Sequence, residues 1–317
     1  MTRRRWIVLA VVLAVVLAPV VLYYGLHYYV RANIAATLAN LPPPNYEPLP
    51  SDDPLTVLTK QARLAERARD YQRAVDLYTQ ALEDSSHSAK VRRDLIRQRA
   101  FAYEDLRQYD RAEADYHAAL QIAPVDPDFY AKRGFYLTRR ERYDDALADF
   151  RKGAELDPAD SGYAFGEGGA YVKLGQHDKA VERYSEAIRK NPKIANYYRE
   201  RGSAHNYLGR FREAHADYDK ALALGYPVPI PRETAYSNLG RGYASLQLGN
   251  YRRAIDDFDE VLKAVPRSST ALGWRGAAYQ GLGQGPEAIA DYKASLAIDP
   301  KNERALEGLK SLGQPQP

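Results

Sequence analysis

Along most of this chain the apolar positions recur with a helical period, and the helices themselves recur. An alanine is followed four residues later by an aromatic ring at Ala74/Tyr78, Ala112/Tyr116, Ala146/Phe150, Ala180/Tyr184, Ala214/Tyr218, Ala254/Phe258 and Ala288/Tyr292. A spacing of four places both side chains on one face of a helix. Successive alanines lie 38, 34, 34, 34, 40 and 34 residues apart. Twelve residues before each alanine stands a small residue: Ala62, Ala100, Gly134, Gly168, Gly202, Gly242 or Gly276. Twelve residues after it, Pro124, Pro158, Pro192, Pro266 and Pro300 fill five of seven places. Small residues let two helices approach closely, and proline interrupts a helix or opens the next one. Each unit therefore reads as two helices joined near Gly175, Gly209, Gly249 or Gly283, where a helix-ending residue is wanted. The two longer spacings fall around residues 83–91 and 225–234, and predict longer turns there.

Several matched columns at one fixed period resemble the tetratricopeptide repeat (TPR) over about residues 55–300. The resemblance implies an all-α superhelical solenoid of about seven helix-turn-helix repeats, neighbours burying each other's apolar faces. One departure is consistent. The leucine expected before the small column is arginine at Arg99, Arg133, Arg201, Arg241 and Arg275. The first unit also lacks the glycine and the proline. Residues 301–312, KNERALEGLKSL, carry Ala305, Leu306, Leu309 and Leu312 along one side and predict a capping helix, with residues 313–317 as a tail.

The start of the chain has a different pattern. Residues 6–30 contain no Asp, Glu, Lys or Arg. As a helix they would span roughly 37 Å, enough to cross a bilayer core of about 30 Å. Trp6 stands at one end and Tyr23, Tyr24, Tyr28 and Tyr29 at the other, as interfacial anchors do. Residues 1–30 are thus expected to form a basic cytoplasmic tip and a transmembrane helix, the rival being a cleaved signal peptide. Arg3, Arg4 and Arg5 precede the span and Arg31 follows it, which predicts that the rest of the chain is extracytoplasmic, periplasmic in a Gram-negative bacterium. Prolines at 42–44, 48 and 50 make residues 31–54 a linker.

Composition adds mainly exclusions. There are 45 Lys+Arg against 41 Asp+Glu, so no basic excess signals nucleic acid. No cysteine is present, which removes disulfides, thiol nucleophiles and Cys-ligated metals. The six histidines form no H-x-x-x-H or H-E-x-x-H pattern; His205 falls in the column of Tyr171 and Tyr279 and reads as a packed residue. Asp144-Asp145 and Asp256-Asp257 read as solvated charge beside the repeated alanine. Gly281, Gly283 and Gly285 coincide with an inter-helix turn rather than a phosphate loop. The reading contains no enzyme, catalytic residue, cofactor or metal.

The TPR resemblance implies a protein-binding scaffold whose partners, proteins or peptides, lie along the first helix of each unit. In this register the candidate groove residues are Arg97, Phe101, Phe135, Arg139, Phe165, Lys173, Arg199, Tyr207 and Tyr243. Aromatics interleaved with cations predict a segment with acidic and apolar residues. Two other roles stay open: a cytosol-facing receptor for chaperones or precursor proteins, and an accessory subunit of a cell-envelope enzyme complex.

Overall fold

The computed structural model describes residues 53–225 and 231–315. The expected span at residues 6–30 and almost all of the linker at 31–54 lie outside the described residues. No helix among the described residues is long and apolar enough to cross a membrane. They form fifteen helices and no strand, in two compact units divided after Ala123.

Unit 1 holds two helical pairs, α1 (Pro54–Arg67) with α2 (Tyr71–Glu83), and α3 (Ala89–Asp105) with α4 (Tyr109–Ile122). Unit 2 holds five more: α5 (Pro127–Arg139) with α6 (Tyr143–Leu156), α7 (Gly162–Lys173) with α8 (His177–Lys190), and α9 (Ala195–Tyr207) with α10 (Phe211–Leu224). It continues with α11 (Pro231–Gln247) and α12 (Tyr251–Ala264), α13 (Ser269–Gly281) and α14 (Gly285–Ile298), and ends with α15 (Glu303–Ser311). In each unit every helix packs on its partner and on the helix that follows.

The repeated columns show how the packing works. In unit 2 the aromatic of each second helix lies against the glycine of its own first helix. A Cβ built on Gly168 would come within 2.5 Å of the Tyr184 ring, and one on Gly134 within 2.8 Å of Phe150. The next unit supplies a second small residue. Phe150 also lies against Gly166, Tyr218 against Gly240 and Tyr292 against Gly308, each at 2.4 Å or less from a notional Cβ. Phe150, Tyr218 and Tyr292 are thus wedged between successive helices of unit 2, and Phe150, Phe258 and Tyr184 are fully or almost fully buried.

The arginine column forms a second layer of contacts. Arg99, Arg133, Arg201, Arg241 and Arg275 each bind, sixteen residues on, Asp115, Asp149, Asp217, Asp257 or Asp291. The pairs are bidentate; Arg201 Nε and Nη2 donate to the two Asp217 oxygens at 2.8 and 2.7 Å. The Nη1 of four of them reaches the preceding unit's second helix, at Thr79, Ser185, Asp219 and Asp259. Each such guanidinium joins three helices. Asp257 is therefore a buried partner of Arg241, and the expectation that the Asp256-Asp257 pair is solvated holds only for Asp256.

The turns between paired helices also depart from a simple glycine rule. Gly175, Gly209, Gly249 and Gly283 adopt φ of 69–76°, and Gln176 N–H closes back on the Tyr171 carbonyl at 2.9 Å. Arg69, Arg107 and Glu141 hold the same left-handed position without being glycine, at φ 59–61°. The longer spacings are not wholly turn. Both α3 and α11 run to 17 residues, against 12–14 in the other first helices, because Ser88 caps α3 early and Pro231 opens α11.

Candidate functional site

In unit 2 the first helices α9, α11 and α13, together with α15, wall a pocket of about 890 Å³. Its lining includes Tyr207, Tyr236, Tyr243 and Trp274 as aromatics, Ser203 and Asn206 as neutral polar groups, and Arg199, Glu303, Arg304 and Glu307 as charges. The helical spacing explains the convergence: Arg199, Ser203 and Tyr207 are four residues apart on α9, and Tyr236, Leu239, Gly240 and Tyr243 share one face of α11.

The pocket presents rings to solvent. Tyr207 is 71% exposed and Tyr236 47% exposed, which is unusual for large rings in a packed helical array. Tyr207 stacks in parallel on His177 with centroids 4.6 Å apart, so the ring is held in place while its other face is open. Tyr243 lies 4.7 Å from Trp274, which in turn contacts Phe258 of the core at 6.0 Å. Asn206 Nδ2 donates to the Gly240 carbonyl at 3.0 Å, tying α9 to α11 at the pocket floor.

The candidate residues divide between the two units. Three of them, Arg199, Tyr207 and Tyr243, meet at the pocket. In unit 1, Arg97 lies 3.7 Å from Asp94, and Phe101 packs edge-on to Tyr116 at 6.2 Å. Elsewhere in unit 2, Phe135 packs edge-on to Phe150 at 5.0 Å, and Phe165 stacks on Tyr197 at 5.0 Å and contacts Tyr184 at 5.6 Å. These rings have core partners. Arg139 and Lys173 are exposed at the C-terminal ends of α5 and α7. Arg199 is engaged within the protein: Nη2 meets Glu200 at 2.7 Å and Glu233 at 3.4 Å, and Asn196 accepts at 3.3 Å.

Sequence reasoning missed Tyr236, Trp274, Glu303, Arg304 and Glu307. Tyr236 stands six residues before Gly242 and Trp274 two before Gly276, outside the positions that the register picks out. The other three belong to the capping helix, which has no repeat column to place it.

His205 is nearly fully buried on α9, with Nε2 3.9 Å from the Asp217 carboxylate. Burial pushes its pKa below the ordinary imidazole value, and the nearby Asp217 opposes this. It serves the core rather than the pocket. No group of three or more His, Asp or Glu suited to a metal ion occurs among the described residues.

Tetratricopeptide-repeat models match residues 57–89, 98–161 and 239–303, and a TPR repeat model matches residues 168–206. The chain is a tetratricopeptide-repeat protein. Among curated relatives, heat shock protein STI1 of Saccharomyces cerevisiae is 36% identical over 104 residues, 32% of this chain and 17% of STI1. The FK506-binding protein-like of Mus musculus is 41% identical over 96 residues, 29% of this chain and 27% of that protein. This TPR protein thus spans less than a third of the length of either relative. Among solved structures, YrrB, described as a TPR protein with an unusual peptide-binding site, superposes with a TM-score of 0.54 at 20% identity, covering 62% of this chain and 97% of YrrB. That likeness concerns the fold.

Proposed function

We propose that this TPR protein is a scaffold that binds segments of partner proteins in the pocket walled by α9, α11, α13 and α15. The observation that carries the reading is the exposure of Tyr207 and Tyr236 within a preformed recess. Rigid aromatic rings in a recess are where binding energy concentrates at protein interfaces. The peptide-binding site named for YrrB is consistent with such a use of the fold. Replacing Tyr207 and Tyr236 with Ser leaves the buried columns intact. It is expected to abolish partner capture by the full-length protein while its helical content and melting temperature stay near the parent's. Unchanged capture would refute the pocket as the binding site.

We further propose that residues 6–30 hold the scaffold in a membrane, with the repeats extracytoplasmic. The support is the uncharged 25-residue stretch and the arginine bias across it. A reporter active only outside the cytoplasm, fused after Pro317, is expected to give signal, and the protein to stay with membranes after alkaline wash. Signal from a cytoplasm-only reporter would favour the cytosol-facing receptor instead. A chain that begins between residues 31 and 54 and is released as soluble protein would mean a cleaved signal.

A further inference from the structure

The cations Arg139, Lys173 and Arg199 among the groove positions predict an acidic partner, but of these only Arg199 lines the pocket. The charges on and beside the pocket lining lean the other way. Arg199 is already paired with Glu200 at 2.7 Å and Glu233 at 3.4 Å, so its charge is largely offset within the protein before a partner arrives. On the opposite wall α15 presents Glu303, Arg304 and Glu307, with Arg304 only loosely paired to Glu307 at 3.8 Å. The lining charges Arg199, Arg304, Glu303 and Glu307 balance, and Glu200 and Glu233, which hold Arg199 from beside the lining, add two carboxylates to that balance. Between the walls lie Tyr207, Tyr236, Tyr243 and Trp274, whose ring faces attract cations. Glu303 and Glu307 are four residues apart on one helix, both exposed, so they project side by side.

We infer that the occupant of this pocket is a basic segment of a partner protein, with Lys or Arg side chains laid against the aromatic floor and reaching Glu303 and Glu307, next to an apolar anchor on Tyr207 and Tyr236. This deepens the proposed function and rests on it. Carboxylates at the recess edge and ring faces within it attract the same charge, so a cationic side chain gains from both, whereas an acidic one meets repulsion from Glu303 and Glu307 and gains nothing from the ring faces. Selection would then act on sign as well as shape, and binding would weaken as salt screens the exposed carboxylates.

The test is selection from a random peptide library displayed on phage, against the full chain in mild detergent. It is run in parallel on the Glu303→Gln, Glu307→Gln variant and the Tyr207→Ser, Tyr236→Ser variant. The inference expects selected peptides enriched in Lys and Arg beside apolar residues. The strongest, made as a synthetic peptide, should bind the glutamine variant about tenfold more weakly or worse, and lose affinity as salt rises. The serine variant should not retain it. Selected peptides that are acidic or uncharged, or that bind the glutamine variant equally well, overturn the inference and leave the pocket reading standing. Peptides that bind the serine variant as tightly as the parent overturn both, as does a selection that yields no peptide above background.

Discussion

Arg151, on α6, lies 3.7 Å from the buried carboxylate of Glu167 on α7, and this contact is the electrostatic inverse of the contact its neighbours make. Where five other units place arginine before the small column, this unit places Glu167. Where the others place the aspartate sixteen residues on, it has Arg183, and where Ser185, Asp219 and Asp259 reach forward, it has Arg151. All three positions change together. Burial raises the Glu167 pKa, while Arg183 and Arg151 pull it back down. The three-helix junction therefore requires opposite charges at fixed places, not a particular residue at each.

That requirement is testable by transplant. Arg201→Glu alone leaves Asp217 buried beside a like charge and is expected to cost about 3 kcal/mol or more. Adding Asp217→Arg and Ser185→Arg recreates the arrangement around Glu167 and should recover more than half of the loss. Urea denaturation of the three proteins measures both steps. A triple variant no more stable than the single one would show that the charge pattern is incidental.

The small column makes a steric prediction. A Cβ on Gly168 would sit 2.5 Å from the Tyr184 ring, which is 2% exposed and packs against Phe165 at 5.6 Å. Gly168→Ala is expected to destabilise by about 1–3 kcal/mol through overpacking. Gly169→Ala meets only the Tyr184 hydroxyl at 4.0 Å and serves as the control, with little or no loss. Equal melting temperatures for the two variants would contradict the wedge.

The turns predict a gain. Glu141 holds φ at 61°, a conformation that costs an L-residue about 1–2 kcal/mol, whereas glycine adopts it freely. Glu141→Gly is expected to stabilise by about 0.5–1 kcal/mol after glycine's larger entropy loss is subtracted. Gly175→Ala, at φ 71°, should lose stability. A destabilised Glu141→Gly would mean that the glutamate side chain does more for the turn than its backbone costs.

Burial holds the pKa of His205 below the ordinary value near 6.5, so the unfolded chain takes up a proton before the folded one as pH falls. Stability is therefore full above about pH 6.5 and declines as pH drops below it. His215 shifts the same way for the same cause and contributes alongside. Because the column of His205 carries tyrosine in Tyr171 and Tyr279, His205→Tyr is expected to keep the fold and to lose less stability between pH 7 and 5 than the parent. Melting curves at the two pH values read the difference, and an unchanged pH dependence would contradict it.

The period, the small column and the aromatic column were legible because each records a contact made within one unit or with the next, at a fixed offset. The same logic made Arg201 visible as a departure from leucine but not its purpose, since Asp217 is sixteen residues away and looks like any surface acid on α10. The non-glycine turns at Arg69, Arg107 and Glu141 were hidden because no residue type announces an enforced left-handed backbone. At the pocket, repeat register found Arg199, Tyr207 and Tyr243. It did not show that Glu200 and Glu233 already hold Arg199, because those partners come from side-chain reach rather than periodicity. Glu303 and Glu307 follow the last repeat, where register ends.

The central claim is that partners engage the α9–α11–α13–α15 pocket of this protein. Its most direct measurement is site-specific photocrosslinking in cells, with benzoylphenylalanine placed at Tyr207, at Tyr236, and at Glu260 on the exposed side of α12 as a control. Adducts from positions 207 and 236 but not from 260 are the predicted result. Adducts from position 260 alone, or equal yields from all three, would contradict it.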